Sequence, residues 1–208
     1  MISKEIIFDS ETTGVHHYDQ GEILPDGSVK FIKQNGMVQL TAQVVIDGKN
    51  KEIYNEFFKP IPGQLVEPKA LEVNGLTMEQ LRASQEPRIA FDKLMNIVEL
   101  WVDPYDKKDK FTLIGYNSRF DDDFMRQWFK NIDDSVFYGS FFRWPAIDVA
   151  NLAAVYIGDG WKDMENFKLA TVAKELGLEV DDAKLHDSAY DVDVTMRMYR
   201  FLCEKMGL

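Results

Sequence analysis

A short apolar run near the start of the chain leads directly into two acidic residues. Residues 5–8, Glu-Ile-Ile-Phe, are followed by Asp9 and Glu11. Side chains two residues apart in a β-strand point to the same side, so these carboxylates would lie side by side, roughly 7 Å apart. Neighbouring carboxylates repel each other unless a cation, a proton or a basic side chain compensates them. The Thr-Thr-Gly sequence that follows supplies none, so the pattern predicts a divalent metal ion at the end of this strand.

Length and composition indicate one enzyme-sized domain. The 208 residues suit a single α/β domain, 1–208, with a sizeable core. The formal net charge of −11 argues against a broad basic footprint for nucleic acid, but carboxylates that hold metal ions also make a chain acidic. We therefore expect weak, salt-sensitive and metal-dependent substrate binding at a small site. The one cysteine, Cys203, lies in an apolar helical pattern and is expected to pack.

No stretch has the apolar length of a membrane span, and no basic-then-apolar leader precedes the first strand. The sequence thus predicts a cytoplasmic protein without a membrane partner.

Strand patterns come first along the chain, and helical patterns follow. Met37 to Ile46 and Glu52 to Lys59 alternate around a turn at Gly48, which predicts a hairpin beside the first strand. Phe111 to Tyr116 is a short apolar strand. The polar stretch from Val15 to Asn35 is long for a loop and is expected to hold a hairpin or a flap beside the carboxylate pair. The alternative is that this stretch is a surface loop without a function.

Apolar residues at helical spacing predict the helices, over 89–102, 124–129, 146–156, 169–176 and 188–204. Together the patterns predict an α/β fold with a mixed sheet flanked by helices, in which three antiparallel strands precede the parallel ones.

Further acidic and basic residues stand at the ends of predicted elements. Asp121 follows the apolar strand and opens a helix, at the carboxyl edge where open α/β sheets place their ligands. His186 and Asp191 stand at the start of the last helix. They would point about 140° apart if both were helical, so His186 must lie on the preceding loop, with Asp187 or Ser188 as the N-cap.

Three motifs in this order resemble those of the DnaQ-like, DEDDh-type 3′-to-5′ exonucleases, relatives of the proofreading subunit of bacterial DNA polymerase III, oligoribonuclease and RNase T. Asp9–Gly14 matches Asp-x-Glu-Thr-Thr-Gly, Asn117–Asp121 matches Asn-x-x-Phe-Asp, and His186–Asp191 matches His-x-x-x-x-Asp. A less specific family feature, a Pro-rich segment followed by (His/Asn)-Gly-(Ile/Leu)-Thr, matches Pro60 through Asn74–Thr77. The resemblance implies a ribonuclease H-like five-stranded sheet. The long segment from Val15 to Asn35 departs from the many relatives that turn quickly here.

The resemblance also implies a site and a reaction. Two Mg²⁺ or Mn²⁺ ions would be held by the four carboxylates, those of Asp9, Glu11, Asp121 and Asp191. His186 would be the general base that activates the attacking water. The resemblance places nucleotide contacts at five further positions: Thr12, Thr13, Asn74, Asn117 and Phe120. Products would be nucleoside 5′-monophosphates released from a 3′ end.

Several alternatives remain open at this point. Asp122 and Asp123 compete with Asp121, Asp193 competes with Asp191, and His16 and His17 compete with His186; only the motif spacing selects among them. Arg119 and Lys168 are candidates for phosphate contact, and Asp148 reads as a helix cap.

The substrate is expected to be single-stranded or frayed DNA, with an RNA exonuclease as the first alternative and a non-catalytic nucleic-acid-binding or replisome-adaptor module as the second. Replication or repair proteins are the protein partners that this reading implies. Oligomeric state cannot be inferred from the sequence.

Overall fold

A computed structural model describes residues 2–25, 27–185 and 187–208 of the chain. His186, the predicted general base, lies outside the described residues.

The described residues build one mixed five-stranded sheet. Its strands are β1 (Lys4–Thr12), β4 (Met37–Ile46), β5 (Lys49–Phe57), β6 (Phe111–Gly115) and β7 (Phe142–Asp148), in the spatial order β5-β4-β1-β6-β7. β1 pairs antiparallel with β4 and parallel with β6, β4 pairs antiparallel with β5, and β6 pairs parallel with β7. The predicted ribonuclease H-like order, antiparallel strands first and parallel strands after, is confirmed.

Helices cover both faces of this sheet. They are α1 (Pro68–Asn74), α2 (Met78–Ala83), α3 (Pro87–Glu99), α4 (Ser118–Ile132), α5 (Val149–Ile157), α6 (Leu169–Glu175) and α7 (Ser188–Met206). Among the described helices, none combines the length and the apolar character that crossing a bilayer requires.

The alternation of β1 divides the core into two layers. Ile6 and Phe8 face the layer that contains buried residues of α3 and α4, whereas Ile7 faces the layer of α5, α6 and α7. Because the side-chain period of a strand is two, the next residues continue this division. Ser10 therefore faces α4, and Asp9 and Glu11 face α7, so the end of β1 directs side chains into both layers.

The segment from Val15 to Asn35 does contain a hairpin, β2 (Gln20–Ile23) and β3 (Val29–Ile32), which pair with each other in a separate two-stranded sheet. The base of this insertion is closed by backbone and side-chain hydrogen bonds. Asn35 N donates to His16 O (2.6 Å) and His16 N donates to Asn35 Oδ1 (2.9 Å). The buried Asn35 side chain also donates to Thr13 O (3.1 Å).

Several predicted element boundaries differ from the observed ones; the helix predicted over 124–129, for example, is Ser118–Ile132. The helix expected over 146–156 begins only at Val149, because Ala146 to Asp148 belong to β7, a strand that the sequence patterns did not indicate. Proline lacks the N–H that a sheet ladder needs, so Pro145 is compatible with β7 because this strand lies at the sheet edge. Asp148 is confirmed as the cap: its carboxylate accepts from Ala150 N (2.9 Å).

Candidate active site

The four predicted carboxylates come from three elements that meet at the carboxyl end of β1. Asp9 and Glu11 lie on β1, Asp121 lies in the first turn of α4, and Asp191 lies in the first turn of α7. Asp121 is buried and the other three are half-buried. Because α4 and α7 pack on opposite faces of the sheet, the carboxylates reach this point from both layers.

Burial and mutual repulsion raise the pKa values in this group. Removal from water raises the pKa of Asp9 well above its ordinary value, and the charges of Asp121, Glu11 and Asp191 raise it further. The pKa of Glu11 rises to about 8, first through burial and then through Asp191 and Asp121. Burial raises the pKa of Asp121 to about 7. All four groups therefore lie within electrostatic reach of one another.

Two serines stabilise the most buried carboxylates. Ser10 donates to Asp121 Oδ1 twice, from its backbone N–H (3.0 Å) and from its hydroxyl (2.6 Å). Ser188, the first residue of α7, forms a side-chain hydrogen bond with Asp9 that opposes the rise in the pKa of Asp9. Its Oγ also lies 2.7 Å from Thr41 Oγ1 on β4. The sequence reasoning missed both roles, although the alternation of β1 already put Ser10 on the α4 side.

Three of these carboxylates have no cationic partner in the part of the chain that the structure describes. Within residues 2–25, 27–185 and 187–208, no Lys, Arg or His forms an ion pair with Asp9, Glu11 or Asp121. Oxygen ligands of this kind suit Mg²⁺ and Mn²⁺, so the chemistry of the group fits a hard divalent cation. In the same described residues, no three Asp, Glu, His or Cys side chains already stand at the spacing of a complete metal site. The carboxylates thus share one neighbourhood without forming a preassembled cage.

The rival acidic residues have other partners. Asp122 is buried and accepts from Tyr138 Oη (2.6 Å) and Arg126 Nε (2.8 Å). Asp123 Oδ2 lies 3.7 Å from Arg119 Nε.

On the last helix, Asp193 forms an ion pair with Arg197 (2.9 Å) rather than facing the other carboxylates. Asp187 is the N-cap of α7 and accepts from Ala189 N and Tyr190 N. Of the two N-cap candidates that the sequence offered, Asp187 and Ser188, the cap is therefore Asp187.

A cleft of about 450 Å³ opens beside Glu11 and is lined by residues of β1, α1 and α4. Thr12, Asn74 and Phe120, three of the predicted nucleotide contacts, line it. Lys69 on α1 contributes a positive charge to its wall, and Glu67 contributes a negative one. The cleft thus lies next to the carboxylates and combines an aromatic ring with polar groups.

The other two predicted contacts do not line this cleft. Thr13 is fully buried: its hydroxyl donates to Leu65 O (2.5 Å) and accepts from Gly36 N (2.8 Å), so it fixes the backbone. Asn117 is exposed in the left-handed region (φ 57°), and its backbone N–H donates to Asp148 Oδ1 (3.1 Å). Asn74 Nδ2 donates to Thr12 O (2.8 Å), so it also supports the chain as it leaves β1.

Gly14, the last residue of the first motif, allows a close approach that any side chain would block. A Cβ atom at Gly14 would lie 2.4 Å from the side chains of both Asn35 and Glu67. The glycine therefore lets the insertion and the start of α1 close around the end of β1.

Comparison with known proteins agrees with this architecture. The family model RNase_T, described as Exonuclease, matches residues 6–199. Exodeoxyribonuclease I of Escherichia coli (strain K12) is 27% identical over an alignment of 165 positions, which covers 70% of this chain and 31% of that protein. The chain thus spans about a third of the length of this curated relative.

Solved structures of E. coli exonuclease I have a similar fold. The complex with a dT13 oligonucleotide superimposes with a TM-score of 0.67 and 22% identity, covering 97% of this chain and 41% of that one. The product-bound structure gives a TM-score of 0.65 and 23% identity, covering 97% of this chain and 43% of the other.

Proposed function

The chain belongs to the RNase_T family of exonucleases, and from this premise we propose that it hydrolyses phosphodiester bonds from the 3′ end of single-stranded or frayed DNA. The products are nucleoside 5′-monophosphates. We treat residues 1–208 as one exonuclease domain. Cytoplasmic location and recruitment by replication or repair proteins remain predictions.

The observation that carries the proposal is the group of carboxylates at the end of β1. Acidic groups that are removed from water and repel one another destabilise a fold unless a bound ligand compensates their charge. Raised pKa values of this kind cluster at functional sites. Asp9, Glu11 and Asp121 have no cationic partner among the described residues. Divalent cations would compensate them.

Asp9, Glu11, Asp121 and Asp191 would hold two Mg²⁺ or Mn²⁺ ions. Bound there, such ions would offset the negative charge of the scissile phosphate and of the leaving 3′ oxygen. Ser10 and Ser188 hold the carboxylates of Asp121 and Asp9 in place through their hydroxyl groups. His186 is proposed as the general base that accepts the proton of the attacking water, because an unperturbed imidazole titrates near neutral pH.

The neighbouring cleft would take the terminal nucleotide. Its ring, that of Phe120, offers an apolar face for a base, and Lys69 offers a positive charge for a phosphate. DNA is favoured over RNA because the curated relative is an exodeoxyribonuclease and the similar structures contain DNA oligonucleotides. RNA cleavage is an outcome of the test below.

The test uses matched DNA and RNA oligonucleotides, labelled at the 5′ or the 3′ end, over a titration of Mg²⁺. The wild-type protein should release a 3′ label at once, shorten a 5′-labelled strand stepwise, prefer DNA, and lose activity with a chelator. Asp9→Ala should reduce the rate by more than about 100-fold, since losing even the outer hydrogen-bond partners of metal ligands costs about 10–100-fold.

Asp193→Asn is the matched control, because this carboxylate lies two residues from Asp191 and pairs with Arg197 instead. It should retain the wild-type rate. Faster loss of RNA than of DNA would overturn the DNA preference. Full activity of Asp9→Ala would show that a contaminating nuclease supplies the activity, which would overturn the catalytic proposal and favour a non-catalytic binding module.

A further inference from the structure

A row of aromatic rings leads from the cleft beside Glu11 to the base of the insertion. The Phe120 ring, which lines the cleft, lies 5.0 Å from that of Phe124. The His17 ring lies 5.7 Å from Phe124 and 4.6 Å from Tyr18. Three ring-to-ring steps thus separate Tyr18 from the cleft, and each is longer than the rise of about 3.4 Å per nucleotide in a stacked strand.

The two rings that the insertion supplies are held in place by its closed base. The hydrogen bonds between His16 and Asn35 join the two ends of the insertion directly before His17. The buried side chain of Asn35 ties this junction to Thr13, at the end of β1. His17 and Tyr18 therefore have a fixed relation to the carboxylates, independent of the hairpin beyond them.

Exposure changes along the row in the way that a stacking surface requires. Phe124 is buried and supports His17, whereas Tyr18 is 51% exposed. Each nucleic acid base has a flat π-face that can stack on such a ring, whatever its sequence.

Charge at this surface suits a phosphate backbone locally, even though the whole chain is acidic. Arg119, next to Phe120, has a side chain that is 91% exposed. Asp123 is the acidic residue beside the row. Its Oδ2 lies 3.7 Å from Arg119 Nε and 3.8 Å from His17 Nε2, so the basic Arg119 adjoins it. Lys69 adds a second cation on the far side of the cleft.

We propose that Tyr18 and His17 form a stacking site for bases on the 5′ side of the terminal nucleotide of single-stranded DNA. The proposal rests on the proposed function, because it takes the terminal nucleotide to lie in the cleft beside Glu11. The start of the insertion then distinguishes long substrates from short ones, because a dinucleotide is too short to reach Tyr18.

The test compares kcat/KM for a single-stranded DNA hexamer with kcat/KM for a dinucleotide. In Tyr18→Ala the ratio of hexamer to dinucleotide should fall roughly tenfold, the effect of losing one stacked base. Tyr18→Phe keeps the ring and should keep the ratio. Tyr105→Ala is the matched control: Tyr105 is 93% exposed but precedes β6, at the sheet end opposite to the carboxylates.

The outcomes separate the two proposals. An unchanged ratio in Tyr18→Ala, with an active wild-type enzyme, overturns the stacking site and leaves the exonuclease function standing. Equal loss for both substrates also overturns it, because the ring would then act on folding or on the reaction itself; circular dichroism distinguishes these two.

If the wild-type protein degrades neither substrate, the exonuclease proposal fails. Binding of a labelled hexamer in Ca²⁺ then decides the stacking site alone. Weaker binding by Tyr18→Ala supports it, and equal binding or no binding by the wild type overturns it.

Discussion

At the scale of single residues, the site contains three acidic groups, Asp9, Glu11 and Asp121, that form no ion pair with a basic side chain in the described part of the chain. Glu11 and Asp121 have pKa values raised to about 8 and about 7. Ser10 offsets part of the cost for Asp121 by two hydrogen bonds. Such hydrogen bonds favour the charged form and thus prepare the carboxylate for a cation.

These pKa values predict how the stability of the metal-free protein depends on pH. A carboxyl group whose pKa is higher in the folded state binds a proton that the unfolded chain has released, so its stabilising effect is complete below about pH 4. The effect is lost as the pH rises through about 7 for Asp121 and about 8 for Glu11. We expect the Tm of chelator-treated protein to fall from about pH 5 to about pH 8.5.

Mg²⁺ should reverse this loss, and should raise Tm more at about pH 8 than at about pH 5, because its ligands must be deprotonated. Asp193→Asn should follow the wild-type curve in thermal melts. A flat Tm over this range, or equal stabilisation by Mg²⁺ at both ends, would contradict the assignment of Glu11 and Asp121 to a cation site.

At the scale of elements, the insertion behaves as an addition to the fold and not as part of the sheet. β2 and β3 pair with each other alone, and the bonds between His16 and Asn35 close the insertion before the hairpin begins. Loop-closure entropy changes slowly with loop length, so a shorter connection costs little.

Replacing residues 20–32 by two glycines should therefore leave the five-stranded sheet and its cooperative unfolding intact, with Tm changed by no more than about 3 °C. Thermal melting followed by circular dichroism measures this. Loss of the cooperative transition would show that the hairpin supports the core. The same variant keeps Tyr18 and should keep the preference for a hexamer over a dinucleotide.

The elements that the sequence predicted are those with a regular period. β1, β4, β5 and β6 alternate or are continuously apolar, and α7 has a clear apolar stripe, so their side chains reveal their structure. β7 was missed because an edge strand that contains Pro145 has neither period, and its Arg143 and Trp144 are exposed. The boundary error at Ala146 has the same cause.

For the site, the motifs and the strand period located Asp9, Glu11, Asp121 and Asp191 near one another. The sequence could not assign Ser188 to Asp9 and Thr41, because that contact depends on how α7 packs against β4. Tyr18 was not considered either, since the ring of Phe124, to which His17 connects it, follows it by about a hundred residues. Thr13 was expected to touch the nucleotide, but its hydroxyl is already used within the protein.

At the scale of the whole molecule, the acidic chain leaves few cations for a phosphate backbone. Among the described residues, Lys69 lines the cleft and Arg119 lies next to Phe120 in the aromatic row. The rest of the interaction must come from stacking and from divalent ions, neither of which requires a basic surface.

We therefore predict a shallow dependence of DNA binding on salt, which replaces the salt-sensitive binding that the composition alone suggested. Each phosphate that is neutralised on a single strand contributes about −0.7 to the slope of log K against log salt, so two contacts give about −1.4. Fluorescence anisotropy with a labelled hexamer and the Asp9→Ala variant measures this slope. A slope steeper than about −4 would reveal a basic surface that the proposal lacks.

The division of the core by β1 also bears on when the protein can act. Asp121 arrives with the helix on one face of the sheet, and Asp191 arrives with the last helix on the other. A chain still emerging from the ribosome has its first three acidic residues but not the fourth. It should be unable to attack nearby nucleic acid until α7 has been made and has packed on the sheet, so hydrolytic competence is reached only when both layers of the core have formed.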